Sequence, residues 1–143
     1  MKTSVYKVQD CKVLKVSIVG DPAIEYPFIL RGNLLWGPVL VPNKKILRID
    51  QNGIPFYLIF TSDIIAKVAN GFNNTNINFE HSGVAIDFPI ISNGVTTEGL
   101  IWGGVLYPKG TWMLGLKIDG ENAINLLRNN ILNGFSIEAE VEY

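Results

Sequence analysis

The sequence predicts a mainly β member of the α+β class: a curved antiparallel sheet or β-barrel carrying about two helices. Three observations point there. Short runs of Val, Ile, Leu and aromatic residues recur along the chain and are broken by Gly, Pro and Asn, as strands and turns are. Only two segments, starting near Thr61 and at Asp119, change to a helical period. With 48% hydrophobic and 17% charged residues, a chain of 143 residues holds enough apolar material for one core. No repeat or low-complexity linker divides it, so one domain spanning 1–143 is expected.

Val13 to Val19 alternates as a strand, with Leu14, Val16 and Ile18 on one face, and stops at Gly20-Asp21-Pro22. Leu35 to Val41 and Ile46 to Ile49 form the next two strands around Pro42-Asn43-Lys44. Asn52-Gly53 then separates Ile46–Asp50 from Ile54–Phe60, a strong hairpin signal. From Thr61 to Phe72 the apolar residues Ile64, Ile65, Val68 and Phe72 keep a helical stripe; Thr61, Ser62 or Asp63 caps it and Asn70-Gly71 stops it. Beyond the polar stretch Asn73–Asn78, two long runs, Phe79 to Ile91 and Val95 to Tyr107, are expected to pair through a turn at Asn93-Gly94. Thr111 to Ile118 alternates strictly, placing Trp112, Leu114, Leu116 and Ile118 on one face. Asp119 begins a second helix carrying Ile124, Leu127 and Ile131, closed by Asn133-Gly134. A last strand, Phe135 to Tyr143, follows.

Composition narrows the function classes. Twelve basic against thirteen acidic residues leave a net charge of −1, which argues against a general nucleic-acid binder. The lysines near the start are spaced through an apolar alternation, unlike a signal peptide, and no run reaches the ~20 apolar residues needed to span a bilayer. The expectation is a soluble protein of a reducing compartment. Cys11 is the single cysteine and His81 the single histidine, so neither an internal disulfide nor a usual zinc site can be built; no metal and no cofactor is expected.

Chemistry therefore has few places to sit. His81, at the start of a β run, suits a general base, because free imidazole titrates near neutrality. Cys11 lies in an apolar strand, where a thiol behaves as a small hydrophobe, which makes it a weak nucleophile, and a serine qualifies only where the fold brings it to the imidazole. On the last strand Ser136, Glu138, Glu140 and Glu142 share one face, opposite Phe135, Ile137, Ala139, Val141 and Tyr143. On periodicity alone that polar face reads first as a solvated, charge-blunted sheet edge. Trp36, Trp102 and Trp112 read as core area.

Several motifs, in order, resemble those of the phage head-maturation (prohead) serine proteases, specifically the XkdF-like branch. Val19-Gly20-Asp21-Pro22-Ala23-Ile24 is similar to that branch's early Asp-Pro-Ala element. The stretch from Gly37 to Arg48, followed by Phe60-Thr61-Ser62-Asp63-Ile64-Ile65, resembles its next block. Asn78-Phe79-Glu80-His81 matches the position of the family histidine, and Lys109-Gly110-Thr111-Trp112-Met113 its strand before the second helix. Asn133-Gly134-Phe135-Ser136-Ile137-Glu138 resembles the Gly-Phe-Ser-Ile-Glu block that holds the serine nucleophile.

The resemblance implies a β-barrel of the herpesvirus assemblin type and a serine endopeptidase working inside the phage prohead, in the host cytoplasm. It implies as substrates the scaffolding protein, the major capsid protein and the enzyme itself by autoproteolysis, with neither nucleic acid nor membrane as partner. It makes Ser136 the nucleophile and His81 the base, a Ser-His dyad. Assemblins use a second histidine, which this chain lacks. In a Ser-His-Glu triad the third place would fall to Glu138, with Glu140 and then Glu80 as alternatives. Only seven residues follow Ser136, whereas family members often continue; a compact form, a self-processed product and a shortened chain all fit. A catalytically inactive capsid-assembly protein with the same fold is the competing expectation. A homo-oligomer fits either.

Overall fold

The computed structural model describes residues 3–20, 29–81, 84–102, 104–128 and 134–143. Among these residues twelve strands and two helices follow one another in the order β1 (Ser4–Lys7), β2 (Asp10–Val19), β3 (Ile29–Arg31), β4 (Leu34–Leu40), β5 (Ile46–Ile49), β6 (Pro55–Ile59), α1 (Ser62–Gly71), β7 (Asn76–His81), β8 (Val84–Val95), β9 (Leu100–Trp102), β10 (Val105–Tyr107), β11 (Trp112–Lys117), α2 (Glu121–Arg128) and β12 (Gly134–Glu142). The main sheet has seven strands in the order β12-β2-β7-β8-β11-β4-β3. A three-stranded sheet, β1-β6-β5, and the β9–β10 hairpin complete the β structure. Pairing is antiparallel except for β1 with β6 and β2 with β7.

The core is built on β11. Trp112, Leu114, Leu116 and Ile118 are buried, as strict alternation requires of a central strand with one face inward. Helix α1 lies over this sheet, contacting β2, β8 and β11, and buries Ile65, Val68 and Ala69. Phe72, just past its end, meets Trp112 edge-on with ring centroids 5.3 Å apart. Thr61 caps this helix by position; its carbonyl accepts the first helical bond from Ile65 N, and its side chain makes no capping bond. Helix α2 starts at Glu121 after Gly120, whose φ of 99° only glycine adopts readily, two residues later than the start expected at Asp119. It buries Ala123 and Leu127; Ile131 and Asn133 lie outside the described residues.

Two local expectations change and a third holds. Asn93-Gly94 is no turn: both residues sit inside β8, opposite Leu114 and Met113. The Asn93 side chain is employed there, accepting from Trp112 Nε1 at 2.6 Å and donating to the Phe72 carbonyl at 3.2 Å. The hairpins on either side are instead β7–β8 and β9–β10. Leu14 does not share the inner face with Val16 and Ile18. A bulge in the β2–β12 ladder leaves it extra between Lys15 and Val13, and it is exposed while Val13 and Cys11 take over the inner positions. The Asn52-Gly53 hairpin does form: Asp50 Oδ1 accepts from Asn52 N at 2.8 Å and Ile54 N at 2.9 Å, closing the loop between β5 and β6.

The main sheet curls until β12 approaches β4, with Cα atoms within 8 Å. No ladder joins those two strands among the described residues, so the sheet is strongly curved and open, not a closed barrel. The lower end of β12 is tied down separately. Gln9 N donates to the Glu142 carbonyl, and Tyr143 stacks with Tyr6 and Phe56 at 5.3 and 5.4 Å between ring centroids, fastening the last strand to the three-stranded sheet.

Candidate functional site

Ser136 occupies the third position of β12, an edge strand of the main sheet. Its neighbours Phe135 and Ile137 are half-buried and Ser136 itself is exposed, so the hydroxyl face of the strand meets solvent while the alternate face packs inward. Glu138, Glu140 and Glu142 continue the exposed row. Glu138 stands opposite Lys15 and Glu140 opposite Lys12 on β2, which gives this face a ladder of opposed charges. Of the expected third members, Glu138 thus shares the Ser136 face, and Glu140 is one step further from it.

The placement of His81 follows from the register. Across the sheet from Ser136 is Ser17, and across from Ser17 is Asn78. His81 closes β7, three residues beyond Asn78, opposite Val84. The three positions belong to one end of one sheet: the start of β12, the end of β2 and the end of β7. Yet β2 lies between the other two strands. Two interstrand spacings and three residues of rise separate the Ser136 and His81 backbones by on the order of 14 Å. The side chains of His81 and Glu80, like the Asp21-Pro22-Ala23 element, lie outside the described part of the structure.

Beside Ser136 opens a cleft of about 270 Å³ in the seam between β12 and β4. Val19, Leu40, Ile46, Phe135 and Ile137 give it apolar walls. Lys44, half-buried, and Arg48, exposed, line it as well, and no carboxylate is among the described lining residues. Sequence reasoning did not single out these two cations. The signal was present in Lys44-Lys45-Ile46-Leu47-Arg48, but only the curl of the sheet brings that segment to the serine.

Compared with known proteins, the chain matches no family model, no curated protein and no solved structure.

Away from the cleft, Cys11 is half-buried on β2, and burial, followed by the neighbouring Asp10 charge, pushes its thiol pKa up. A raised pKa reduces the thiolate and with it the reactivity. Asp10 is held below the usual carboxylate range, first by a hydrogen bond from Lys67 Nζ at 3.1 Å and then by one from the Cys11 amide. Among the described residues no three His, Cys, Asp or Glu side chains gather as metal ligands would, and no helix is long and apolar enough to cross a membrane.

Proposed function

We propose that this chain is a serine endopeptidase of phage head maturation, of the XkdF-like type, on an opened variant of the herpesvirus assemblin barrel. It cleaves scaffolding and capsid proteins, and itself, inside the prohead. The reading is carried by the ordered sequence motifs around His81 and Ser136. The observation that best supports it is the exposure of Ser136 on a strand that, among the described residues, forms the sheet edge at the mouth of a cleft. An extended substrate reaches a nucleophile placed there without any opening of the core.

In this mechanism Ser136 Oγ attacks the scissile carbonyl while His81 takes its proton. The imidazolium then returns the proton to the leaving amine, and a second attack by water releases the acyl group by the same route. The carboxylate that would orient the imidazole and stabilise its charged form is Glu138, Glu140 or Glu80, and the register sets Glu138 and Glu140 further from His81 than Ser136 is. The test is incubation with the scaffolding and capsid proteins of the cognate phage, wild type beside Ser136→Ala and His81→Ala. Cleavage by wild type alone is expected. Equal cleavage by all three proteins would sink the assignment.

A second reading is favoured by one observation: β2 stands between the strands of Ser136 and His81. A dyad needs the base within roughly 3 Å of the hydroxyl. The alternative is a catalytically inactive capsid-assembly protein that keeps the fold. A fluorophosphonate reagent decides between the two. Selective labelling of Ser136, lost in His81→Ala, belongs to the enzyme; labelling no faster than that of other serines belongs to the assembly protein.

A further inference from the structure

We propose that the cleft beside Ser136 holds an extended peptide by one acidic side chain of that peptide, gripped by Arg48. The inference deepens the protease reading by naming the substrate class, and it rests on that reading only in treating Ser136 as the point where the peptide is held.

The charge balance of the cleft carries it. The whole chain is slightly acidic, with a net charge of −1. The cleft is nonetheless lined by two cations, Lys44 and Arg48, of which Arg48 is the exposed one, and by no carboxylate among its described lining residues. These cations do not come from the strand of the serine. Arg48 lies in β5, at the edge of the other sheet, and Lys44 in the connection before it. The curl of the main sheet sets them across the seam from Ser136. Arg48 donates one guanidinium N–H to the Leu47 carbonyl at 3.0 Å, which orients the planar fork and leaves further donors for a carboxylate. The apolar walls formed by Leu40, Ile46, Phe135 and Ile137 accept the methylenes of a glutamate or its apolar neighbours.

The same surface limits how much acid the peptide can carry. Beyond Ser136 the exposed row of β12 continues as Glu138, Glu140 and Glu142. A uniformly acidic segment laid along that strand meets like charge, whereas one acidic residue over the cleft with neutral or basic neighbours does not.

The test measures binding separately from cleavage. The full-length Ser136→Ala protein is titrated into two labelled ten-residue peptides that differ only in a central Glu or Gln, and anisotropy is read. Because Arg48 is solvent-exposed, the Glu peptide is expected to bind roughly five-fold tighter, falling towards parity in high salt. Arg48→Glu should abolish or reverse the preference, and Lys117→Glu, an exposed charge change outside the cleft, should leave it intact. Equal affinity for the two peptides overturns the proposal, as does a preference that survives Arg48→Glu. A Glu preference in binding without cleavage by the unaltered chain removes the protease reading and keeps the acidic-peptide site.

Discussion

Gly115 shows how a single missing side chain shapes this core. A Cβ built at that position lies 2.5 Å from Trp36 Cζ3 and 2.7 Å from Cε3, so the indole ring occupies the space a larger residue would need. Gly115 is buried on β11, opposite Trp36 on β4, and the ring is too rigid to bend aside. Gly115→Ala is therefore expected to destabilise the fold by about 1–3 kcal/mol through overpacking, read as a lower denaturation midpoint. Trp36→Leu in the same chain should recover part of the loss, because it empties the contested volume. A second residue-scale effect concerns charge. Asp10 titrates below its ordinary value because Lys67 and the Cys11 amide bind its charged form. A carboxylate depressed by folding adds stability above its unfolded pKa and loses it as pH falls through the folded value. Wild type should thus exceed Lys67→Met in stability at neutral pH, with the gap closing in acid below the carboxylate range. In Lys67→Met the Asp10 carboxyl should titrate closer to the ordinary value by NMR. The pair is exposed, so salt shrinks the gap as well.

At the scale of elements, what could be read in advance was whatever depends on near neighbours. The alternation of Trp112, Leu114, Leu116 and Ile118 marked β11, and the helical stripe of Ile65, Val68 and Phe72 marked α1, because each pattern answers to one buried face. Asn93-Gly94 misled for a physical reason. The turn preference of that dipeptide is weaker than the β8–β11 ladder and the Trp112–Asn93–Phe72 hydrogen bonds, all of which come from remote parts of the chain. Leu14 misled likewise, since a bulge is a property of the pairing of two strands and leaves no trace in one of them. The bulge makes a sharp prediction. Deleting Leu14 should leave every other β2 residue on its present face, and the shortened protein should still unfold cooperatively. Deleting Val16 moves the rest of β2 to the wrong face and should abolish cooperative unfolding. Similar behaviour of both deletions in urea would show that the ladder is not bulged at this point.

For the molecule as a whole, the decisive facts are non-local. The exposed face of Ser136 was legible, because alternation along β12 is a local pattern. The interposition of β2 and the arrival of Arg48 at the cleft were not, because strand order and sheet curl depend on the joint packing of remote segments. The openness of the sheet has an observable consequence. In an antiparallel ladder alternate residues bond to the partner strand, and those between them turn their amides to the other side. β12 has β2 on one side and, among the described residues, no ladder on the other. Hydrogen exchange followed by NMR should then divide Gly134–Glu142 into two sets, one protected by β2 and one exchanging orders of magnitude faster. In a closed barrel both sets would be slow. The fast set is also what an incoming peptide strand would meet, so saturating Ser136→Ala with the Glu-containing peptide should slow those amides near Ser136. The amides already bonded to β2 should hold their rates, because binding at the seam leaves that ladder as it is.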